Sequence, residues 1–312
     1  MKKDVRENKR YYDLHSYLRE RFGCRVYKIP VDPGLTCPNR DGKISYGGCI
    51  YCLSRGPRPK PVSPSLPIRE QIQKGKEFFS KTKGAKKFIV YFQPYSNTYA
   101  PLQRLKEIYE EAFDIEDVIG ISIGTRPDCV SSEILDLLEG YAKSYSVWIE
   151  YGLQSIHEDT LNAINRGHGL REFIDAVNKT RGRNIHICAH VIIGLPGEGR
   201  DEIIETARLL SDLRIDGVKI HLLFIVEGTE LGKMYEEGRV EVFSLENAVS
   251  LVSDFLEYLH PDIVIHRLTG DPPKDKLLAP SWSLNKLKVL NEIDKELKKR
   301  GSYQGKRYEI LS

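Results

Sequence analysis

Six short apolar runs, each followed by a longer helical pattern, constrain the fold of this 312-residue chain. The runs span residues 26–31, 88–92, 118–123, 147–153, 185–193 and 217–226. Nearly continuous hydrophobicity is typical of parallel strands that are covered on both faces. Helical patterns such as 131–145, opened by two serines, and 201–213 lie between the runs. The repeat of strand and helix predicts an α/β fold with right-handed crossovers.

The ends of these runs carry polar residues and glycines, at 93–98, 124–128, 152–155 and 194–198. Barrel enzymes place their chemistry at the carboxyl ends of the strands. No G-x-G-x-x-G follows a run, and 228–233 is one residue too short for a phosphate loop. We therefore predict a partial TIM-like (β/α)6 barrel over 26–228. A basic N-terminal arm (1–25) would precede it, and a C-terminal α/β extension (229–312) would pack on it.

The composition, 29% charged and 40% hydrophobic, is ordinary for a soluble globular protein. The first twenty residues are too polar for a secretory signal, and no apolar run approaches the ~18 residues of a membrane span. Three of the six cysteines fall between residues 37 and 52, which favours ligands over disulfides and a reducing compartment. The sequence predicts a cytoplasmic protein without a membrane partner.

Positive charge is concentrated in three stretches of the chain. Residues 1–25 carry eight Lys/Arg against four Asp/Glu, residues 55–87 ten against two, and residues 284–312 eight against four. The net charge of the whole chain is only +3, so the remainder is strongly acidic. This asymmetry fits a phosphate-rich partner such as nucleic acid, and it equally fits solvated helix faces.

Cys37, Cys49 and Cys52 lie in the loop after the first run. Thiolates are soft ligands, so zinc and iron–sulfur are the realistic metals. A structural zinc site takes four ligands, usually in two close pairs, whereas this loop has one C-x2-C pair, and Cys24 or a distant histidine would have to complete it. Three thiolates suit a [4Fe–4S] cluster with one open iron. We expect the cluster, with structural zinc and unliganded thiols as alternatives.

The loop, Cys-x11-Cys-Ile-Tyr-Cys, resembles that of radical S-adenosylmethionine (radical SAM) enzymes, in the long-spacer form of the catalytic subunit of Elongator. The segments ISIGTRPD (121–128), GLQS (152–155), NRGH (165–168) and GLPGE (194–198) follow in the order of that family. HRLTGDPP (266–273) and LAPSW (278–282) are similar to the narrower YhcC/YtqA-type group. The resemblance covers nearly the whole chain.

The resemblance implies a [4Fe–4S] cluster and S-adenosylmethionine as cofactors. The open iron would chelate S-adenosylmethionine, and one electron from a donor such as flavodoxin or ferredoxin would release a 5′-deoxyadenosyl radical. The implied cofactor contacts are Gln93, Tyr95 and Asn97 near the methionine amino group, Gln154, Ser155 and Arg166 near the ribose and carboxylate, and His190, Gly194 and Leu195 near ribose and adenine. His190 stands where some relatives carry Asp. Each of these residues also has a purely structural interpretation, either as part of a turn or as a hydrogen-bonded core residue.

The resemblance to Elongator, together with the basic stretches, makes tRNA the leading substrate, with a wobble-uridine side chain as the group that is changed. Candidate substrate contacts are Arg267, Asp271, Trp282 and Lys286 in the C-terminal segment. Arg126 and Asp128 would bind substrate or form a structural ion pair, and Cys129 would donate a hydrogen atom or simply pack. The rival interpretations are a radical SAM enzyme of small metabolites and a zinc-stabilised RNA-binding module without catalysis.

Overall fold

A computed structural model describes residues 9–53 and 66–309 of the chain. The first eight residues of the predicted N-terminal arm therefore lie outside the described residues. The same holds for 55–65, the beginning of the second basic stretch, and for the last three residues of the third.

Seven parallel strands form one sheet in the order β1-β2-β3-β4-β5-β6-β8. The strands are β1 (Val26–Val31), β2 (Lys87–Phe92), β3 (Val118–Thr125), β4 (Ser146–Gln154), β5 (His186–Ile193), β6 (Gly217–Leu222), β7 (Ile225–Val226), β8 (Val264–Arg267) and β9 (Leu277–Ala279). The six predicted strands appear in chain order, and the fold class, a partial TIM-like barrel, is confirmed. The seventh parallel strand, β8, comes from the segment predicted as a C-terminal extension.

Helices surround this sheet, most of them on its outer face. They are α1 (Leu14–Phe22), α2 (Ile68–Lys83), α3 (Leu102–Phe113), α4 (Ser132–Ala142), α5 (Glu158–Ala163), α6 (Leu170–Thr180), α7 (Arg200–Asp212), α8 (Glu230–Glu236), α9 (Leu245–Tyr258) and α10 (Lys286–Lys299). Ser131 caps α4 by accepting a hydrogen bond from the Ile134 backbone N–H, as the serine pair predicts. None of the helices in the described ranges is long and apolar enough to span a lipid bilayer.

The sheet curls until its two edge strands approach each other. Nζ of Lys28 on β1 lies 3.3 Å from Nδ1 of His266 on β8, although the two strands are not paired. Side chains alternate along each strand, so Ile29 packs in the hydrophobic core while Lys28 faces the barrel interior. The hydrophobic core therefore lies between the strands and the helices, and polar side chains occupy the interior.

The run predicted as one strand, 217–226, is divided in the structure. Its first part is β6 in the barrel, and its last two residues form β7, which pairs with β9 in an antiparallel ribbon. The chain then enters α8, where the Leu231 N–H donates to the carbonyl oxygen of Ile50, 2.9 Å away, in the cysteine loop. The C-terminal segment thus contacts the loop that carries the three cysteines.

Candidate active site

The cysteine loop is held by hydrogen bonds to the loop after α5. The Asn39 side-chain amide donates to the Asn165 carbonyl at 2.7 Å, and the Asn165 amide donates to the Gly48 carbonyl at 2.9 Å. The Ile50 N–H donates to the Ile164 carbonyl at 3.1 Å. Asn39 also directs its amide toward the Cys49 sulfur at 3.7 Å. These bonds fix the thiols relative to the strand ends of the barrel.

The thiols of Cys49 and Cys52 lie side by side because the Cys52 N–H closes a turn on the Cys49 carbonyl at 2.8 Å. Cys37 and Cys49 are buried, and Cys52 is partly buried. A hydrogen bond from the Cys52 thiol, together with the charge of Arg166, holds the pKa of the Cys49 thiol well below its usual range. The same hydrogen bond raises the pKa of Cys52. A positively charged setting of this kind favours thiolates, the form that binds metal.

Two buried guanidinium groups lie beside these thiols. Arg166 donates from Nη1 to the Cys49 sulfur at 3.5 Å and from Nη2 to the Gly152 carbonyl at 2.5 Å. Its buried Nε has no partner among residues 9–53 and 66–309. Arg126 forms a two-point pair with Asp128 at 2.8 and 2.7 Å, and it donates to the Arg166 carbonyl at 2.8 Å. Despite burial, Arg126 holds the pKa of Asp128 below its usual value. The ion pair therefore positions the backbone of Arg166.

A cavity of about 170 Å³ joins the cysteine loop to the barrel interior. It brings together nine of the residues predicted from the sequence: Cys37, Cys49, Cys52, Gln93, Tyr95, Arg126, Gln154, Arg166 and His190. Its wall also contains residues that the sequence did not single out, among them Asn39, Arg40 and Glu150, together with Tyr51 of the cysteine motif. The remaining predicted residues are not part of this wall.

Two non-glycine residues on the wall have left-handed backbone conformations. Tyr95 has φ 62° and Gln154 has φ 76°, at the ends of β2 and β4. Such conformations are strained outside glycine and cluster at functional sites. Beside Gln154, a Cβ on Gly152 would lie 2.7 Å from Arg166 Nη2 and 2.8 Å from Gln154 Nε2. The glycine therefore allows both side chains to reach the cavity.

Several predicted cofactor residues lie next to the cavity and have structural partners. The fully buried Asn97 donates its amide to the carbonyls of Phe92, Pro94 and Gly124 at 2.9 to 3.0 Å, and so holds the loop after β2. Ser155 donates to the carboxyl group of Glu198. Leu195 packs in the small hydrophobic cluster to which the cysteine loop contributes Tyr51.

The C-terminal residues predicted to contact substrate divide into two places. Asp271 accepts hydrogen bonds from Arg267 and, at 3.1 Å, from Lys286, so these three form one exposed network. Trp282 instead donates to the Phe243 carbonyl at 3.1 Å, and its ring lies near Gly194, which has φ 100°. Trp282 thus joins the segment before α10 to the segment before α9.

Cys129 is separate from the cavity wall and close to Asp128. Its Sγ lies 3.9 Å from Asp128 Oδ1. Burial and the Asp128 charge raise the pKa of the Cys129 thiol to about 12. The thiol is therefore protonated at neutral pH.

Glu150, in the middle of β4, is the main site residue that the sequence analysis missed. It is fully buried and accepts hydrogen bonds from Lys28 Nζ at 2.6 Å, from Lys219 Nζ and from His190 Nε2 at 2.6 Å. Despite burial, the charges of Lys219 and Lys28 hold its pKa well below the usual range. We name these four residues the interior charge cluster. The sequence does contain one signal for this cluster: Lys28, Glu150 and Lys219 each lie inside a predicted apolar strand.

The donor set around the cavity suits an anionic iron–sulfur group. Three thiols and three arginines, at positions 40, 126 and 166, converge on it, and the Arg166 Nε–H has no partner in the part of the chain that the structure describes. An Arg guanidinium matches a carboxylate geometrically, as in the methionine end of S-adenosylmethionine. The residues present therefore fit a cluster held by three thiolates with a small zwitterion beside it.

Comparison with known proteins identifies the family. A model described as "Radical SAM superfamily" matches residues 33–210, and one described as "Radical_SAM C-terminal domain" matches residues 215–299. The chain belongs to the radical SAM superfamily. It is 42% identical to the uncharacterized protein YtqA of Bacillus subtilis over 97% of this chain and 94% of that protein. It is 35% identical to protein YhcC of Escherichia coli over 91% of each chain.

Radical SAM enzymes of known structure share this fold. The archaeal Elp3 of Methanocaldococcus infernus superposes with a TM-score of 0.66 at 18% identity, covering 89% of this chain and 64% of that one. Methylornithine synthase (PylB) superposes with a TM-score of 0.53 at 13% identity, covering 93% and 86%. The cofactors of this radical SAM protein are accordingly a [4Fe–4S] cluster and S-adenosylmethionine, and the YhcC/YtqA-type assignment is confirmed.

Proposed function

We propose that this radical SAM enzyme modifies tRNA, at the side chain of a wobble uridine. Removal of a carboxymethyl group from a carboxymethylaminomethyl substituent is the reaction we favour. The observation that carries the proposal is the similarity to Elongator complex protein 3 of Saccharomyces cerevisiae, 31% identical over 159 residues. That match covers 50% of this chain and 28% of the yeast protein. The substrate is therefore an inference by analogy.

A basic surface beside the cavity supports an RNA substrate. Residues 267–288 carry five Lys/Arg against two Asp/Glu, and the lysines at 274, 276, 286 and 288 are exposed. This segment contains β9, whose partner β7 leads into α8 and its contact with the cysteine loop. Exposed lysines displace counterions from a phosphate backbone, so they would bind RNA near the entrance of the barrel.

Cys37, Cys49 and Cys52 are the proposed cluster ligands. When bound, the cluster and S-adenosylmethionine supply a 5′-deoxyadenosyl radical upon one-electron reduction by a donor such as flavodoxin or ferredoxin. Arg166 would orient the methionine carboxylate through its unpartnered Nε–H. The strained Tyr95 and Gln154, with Gln93 and His190, would hold the rest of the cofactor against the cavity wall. The packed walls would exclude water from it.

Other residues would act by holding the loops and side chains that contact the cofactor. Asn97 and Ser155 would keep the loops after β2 and β4 in place, and Gly194 and Leu195 would shape the adenine side. The pair of Arg126 and Asp128 would position Arg166 through its backbone carbonyl. Substrate contacts would come from the exposed network of Arg267, Asp271 and Lys286, and Trp282 would hold the neighbouring segment to the Phe243 carbonyl.

Anaerobic reconstitution with iron and sulfide tests the chemistry. The protein should acquire the broad visible absorbance of a cluster and, after reduction, should release 5′-deoxyadenosine from S-adenosylmethionine. Colourless protein containing about one zinc per chain would instead support the zinc-stabilised RNA-binding module.

Deleting the gene tests the substrate. Nucleosides from total tRNA of the deletion strain should accumulate the carboxymethylaminomethyl form and lose the product that follows it, and plasmid-borne protein should reverse both changes. An unchanged nucleoside profile, with S-adenosylmethionine cleavage intact, would favour the small-metabolite enzyme over the tRNA enzyme.

A further inference from the structure

The interior charge cluster contains more basic than acidic side chains. Both ammonium groups, Lys28 and Lys219, share the single carboxylate of Glu150, and within the described ranges neither forms an ion pair with another acid. Burial and the Lys219 charge lower the pKa of His190 to about 4, so this imidazole is neutral at pH 7. Two lysine side chains therefore share one carboxylate.

The histidines around the cluster are neutral and leave its charge unchanged. Burial and nearby cations lower the pKa of His221 and of His266 well below the usual range, so both are neutral. The remaining partners are neutral hydroxyls: Ser122 accepts from Lys28 at 3.1 Å, and Tyr91 accepts from Lys219 at 2.9 Å. Burying a cation without its own counterion is costly. Burial indeed lowers the pKa of Lys28, which an additional anion would raise again.

A metal ion does not fit this position. Ligand atoms of Glu150, Cys188 and His190 lie within 4.8 Å of one another, which is compatible with a metal site. However, ammonium groups already occupy both Glu150 oxygens, at 2.6 Å from Lys28 and in direct contact with Lys219. Burial also raises the pKa of the Cys188 thiol, so no thiolate is available there. Two lysines repel a cation and attract an anion.

The cavity reaches two members of the cluster. Glu150 and His190 form part of the same wall as the three cysteines. Glu150 precedes Gln154, the last residue of β4, by four residues, which places it about 13 Å along the strand from the barrel entrance. The side chains of Lys28 and Lys219 keep 13% and 9% of their surface exposed. A carboxymethylaminomethyl chain is much shorter than this depth, so the base itself would have to enter the barrel for its carboxylate to reach the cluster.

We propose that the interior charge cluster binds a carboxylate of the substrate, with Lys28 and Lys219 as its cationic partners and Glu150 holding both lysines in position. The inference rests on the proposed tRNA function, in which the uridine side chain ends in a carboxymethyl group. It assigns the recognition of that acidic group to the barrel interior. The methionine carboxylate of S-adenosylmethionine is the other possible source of the same chemistry, and the experiment separates the two.

The test compares two synthetic anticodon stem-loop RNAs, one with a carboxymethylaminomethyl uridine and one with a methylaminomethyl uridine. Their Kd values are measured by anaerobic fluorescence anisotropy with reconstituted protein containing S-adenosylmethionine but no reductant. Wild-type protein should bind the acidic RNA about tenfold more tightly, which corresponds to about 1.4 kcal/mol of binding free energy. Lys28→Met should lose this preference, and Lys28→Arg should keep most of it. The exposed Lys179→Met is the matched control and should behave as wild type.

Four outcomes would overturn the inference. Equal binding of both RNAs by wild-type protein would leave the tRNA proposal standing and remove the carboxylate site, whereas binding of neither RNA would overturn both. A Lys28→Met protein that keeps the preference would show that the lysine has no part in it. A tenfold weaker Kd for S-adenosylmethionine in Lys28→Met, measured without RNA, would assign the site to the cofactor. Thermal unfolding of each variant establishes that the protein is folded, and Lys28→Met should retain its Tm because Glu150 keeps Lys219.

Discussion

Alanine at Cys37, Cys49 or Cys52 is expected to abolish the cluster, and with it the release of 5′-deoxyadenosine. Each thiol lies on the wall of one cavity, and the Cys49 thiol already has Arg166 and Asn39 directed at its sulfur. Removing one of three protein ligands leaves two, which cannot hold three irons. Iron and sulfide content, visible absorbance and 5′-deoxyadenosine should all fall to the level of protein that was never reconstituted.

The other three cysteines provide matched controls for this experiment. Cys24 packs against the small cluster that contains Leu18 and Val26, Cys129 lies beside Asp128, and Cys188 lies 3.5 Å from His266 in the barrel interior. Alanine at these positions should leave the absorbance and the iron content intact, with a modest loss of Tm for the buried Cys188. Loss of the cluster in Cys24→Ala would contradict a three-thiolate site and indicate a fourth ligand.

The architecture could be predicted from sequence because strand formation here is a local property. The run 26–31 matches β1 residue for residue, and the serine pair marks the beginning of α4. The division of 217–226 could not be predicted in this way, since Ile225 and Val226 are as apolar as the residues of β6. They leave the barrel because a distant ribbon partner, 277–279, pairs with them.

The interior charge cluster shows why the site was only partly predictable. Lys28, Glu150 and Lys219 each interrupt an apolar run, but a single charged residue in a strand does not reveal its partner. Lys28 and Glu150 are 122 residues apart and meet only because the sheet curls. The cysteines were visible because all three lie within one loop. The roles of the residues around them remain predictions that the mutagenesis above addresses.

Glu150→Gln is expected to be the most destabilising single substitution in the barrel interior. The change conserves volume but leaves Lys28 and Lys219 with no carboxylate, and removing one partner of a buried ion pair costs roughly 3 to 5 kcal/mol. This is a large fraction of the roughly 5 to 15 kcal/mol by which a domain is stable. Urea unfolding followed by circular dichroism should show the loss. Glu236→Gln, an exposed position on α8, should change stability by less than about 0.5 kcal/mol.

The difference in unfolding free energy between wild type and Glu150→Gln depends on pH in a definite direction. Glu150 has a pKa well below its usual range in the folded protein, and about 4.3 in an unfolded chain. A group whose pKa is lowered on folding stabilises the folded protein fully when the pH is above the unfolded pKa. This stabilisation is lost as the pH falls through the folded pKa. The difference between wild type and Glu150→Gln should therefore be constant from pH 7 to about pH 5 and should shrink in stronger acid.

A second substitution tests why Glu150→Gln destabilises the protein. If Glu150→Gln destabilises the protein because two buried ammonium groups lose their counterion, then Lys28→Met, nearly neutral on its own, should restore part of the stability in the Glu150→Gln background. Lys28→Met removes one of the two unpaired charges, and Lys219 keeps its hydrogen bond to Tyr91. Additive effects of the two substitutions would mean that the loss comes from altered packing or from the His190 hydrogen bond instead, and the charge argument for the barrel interior would fail.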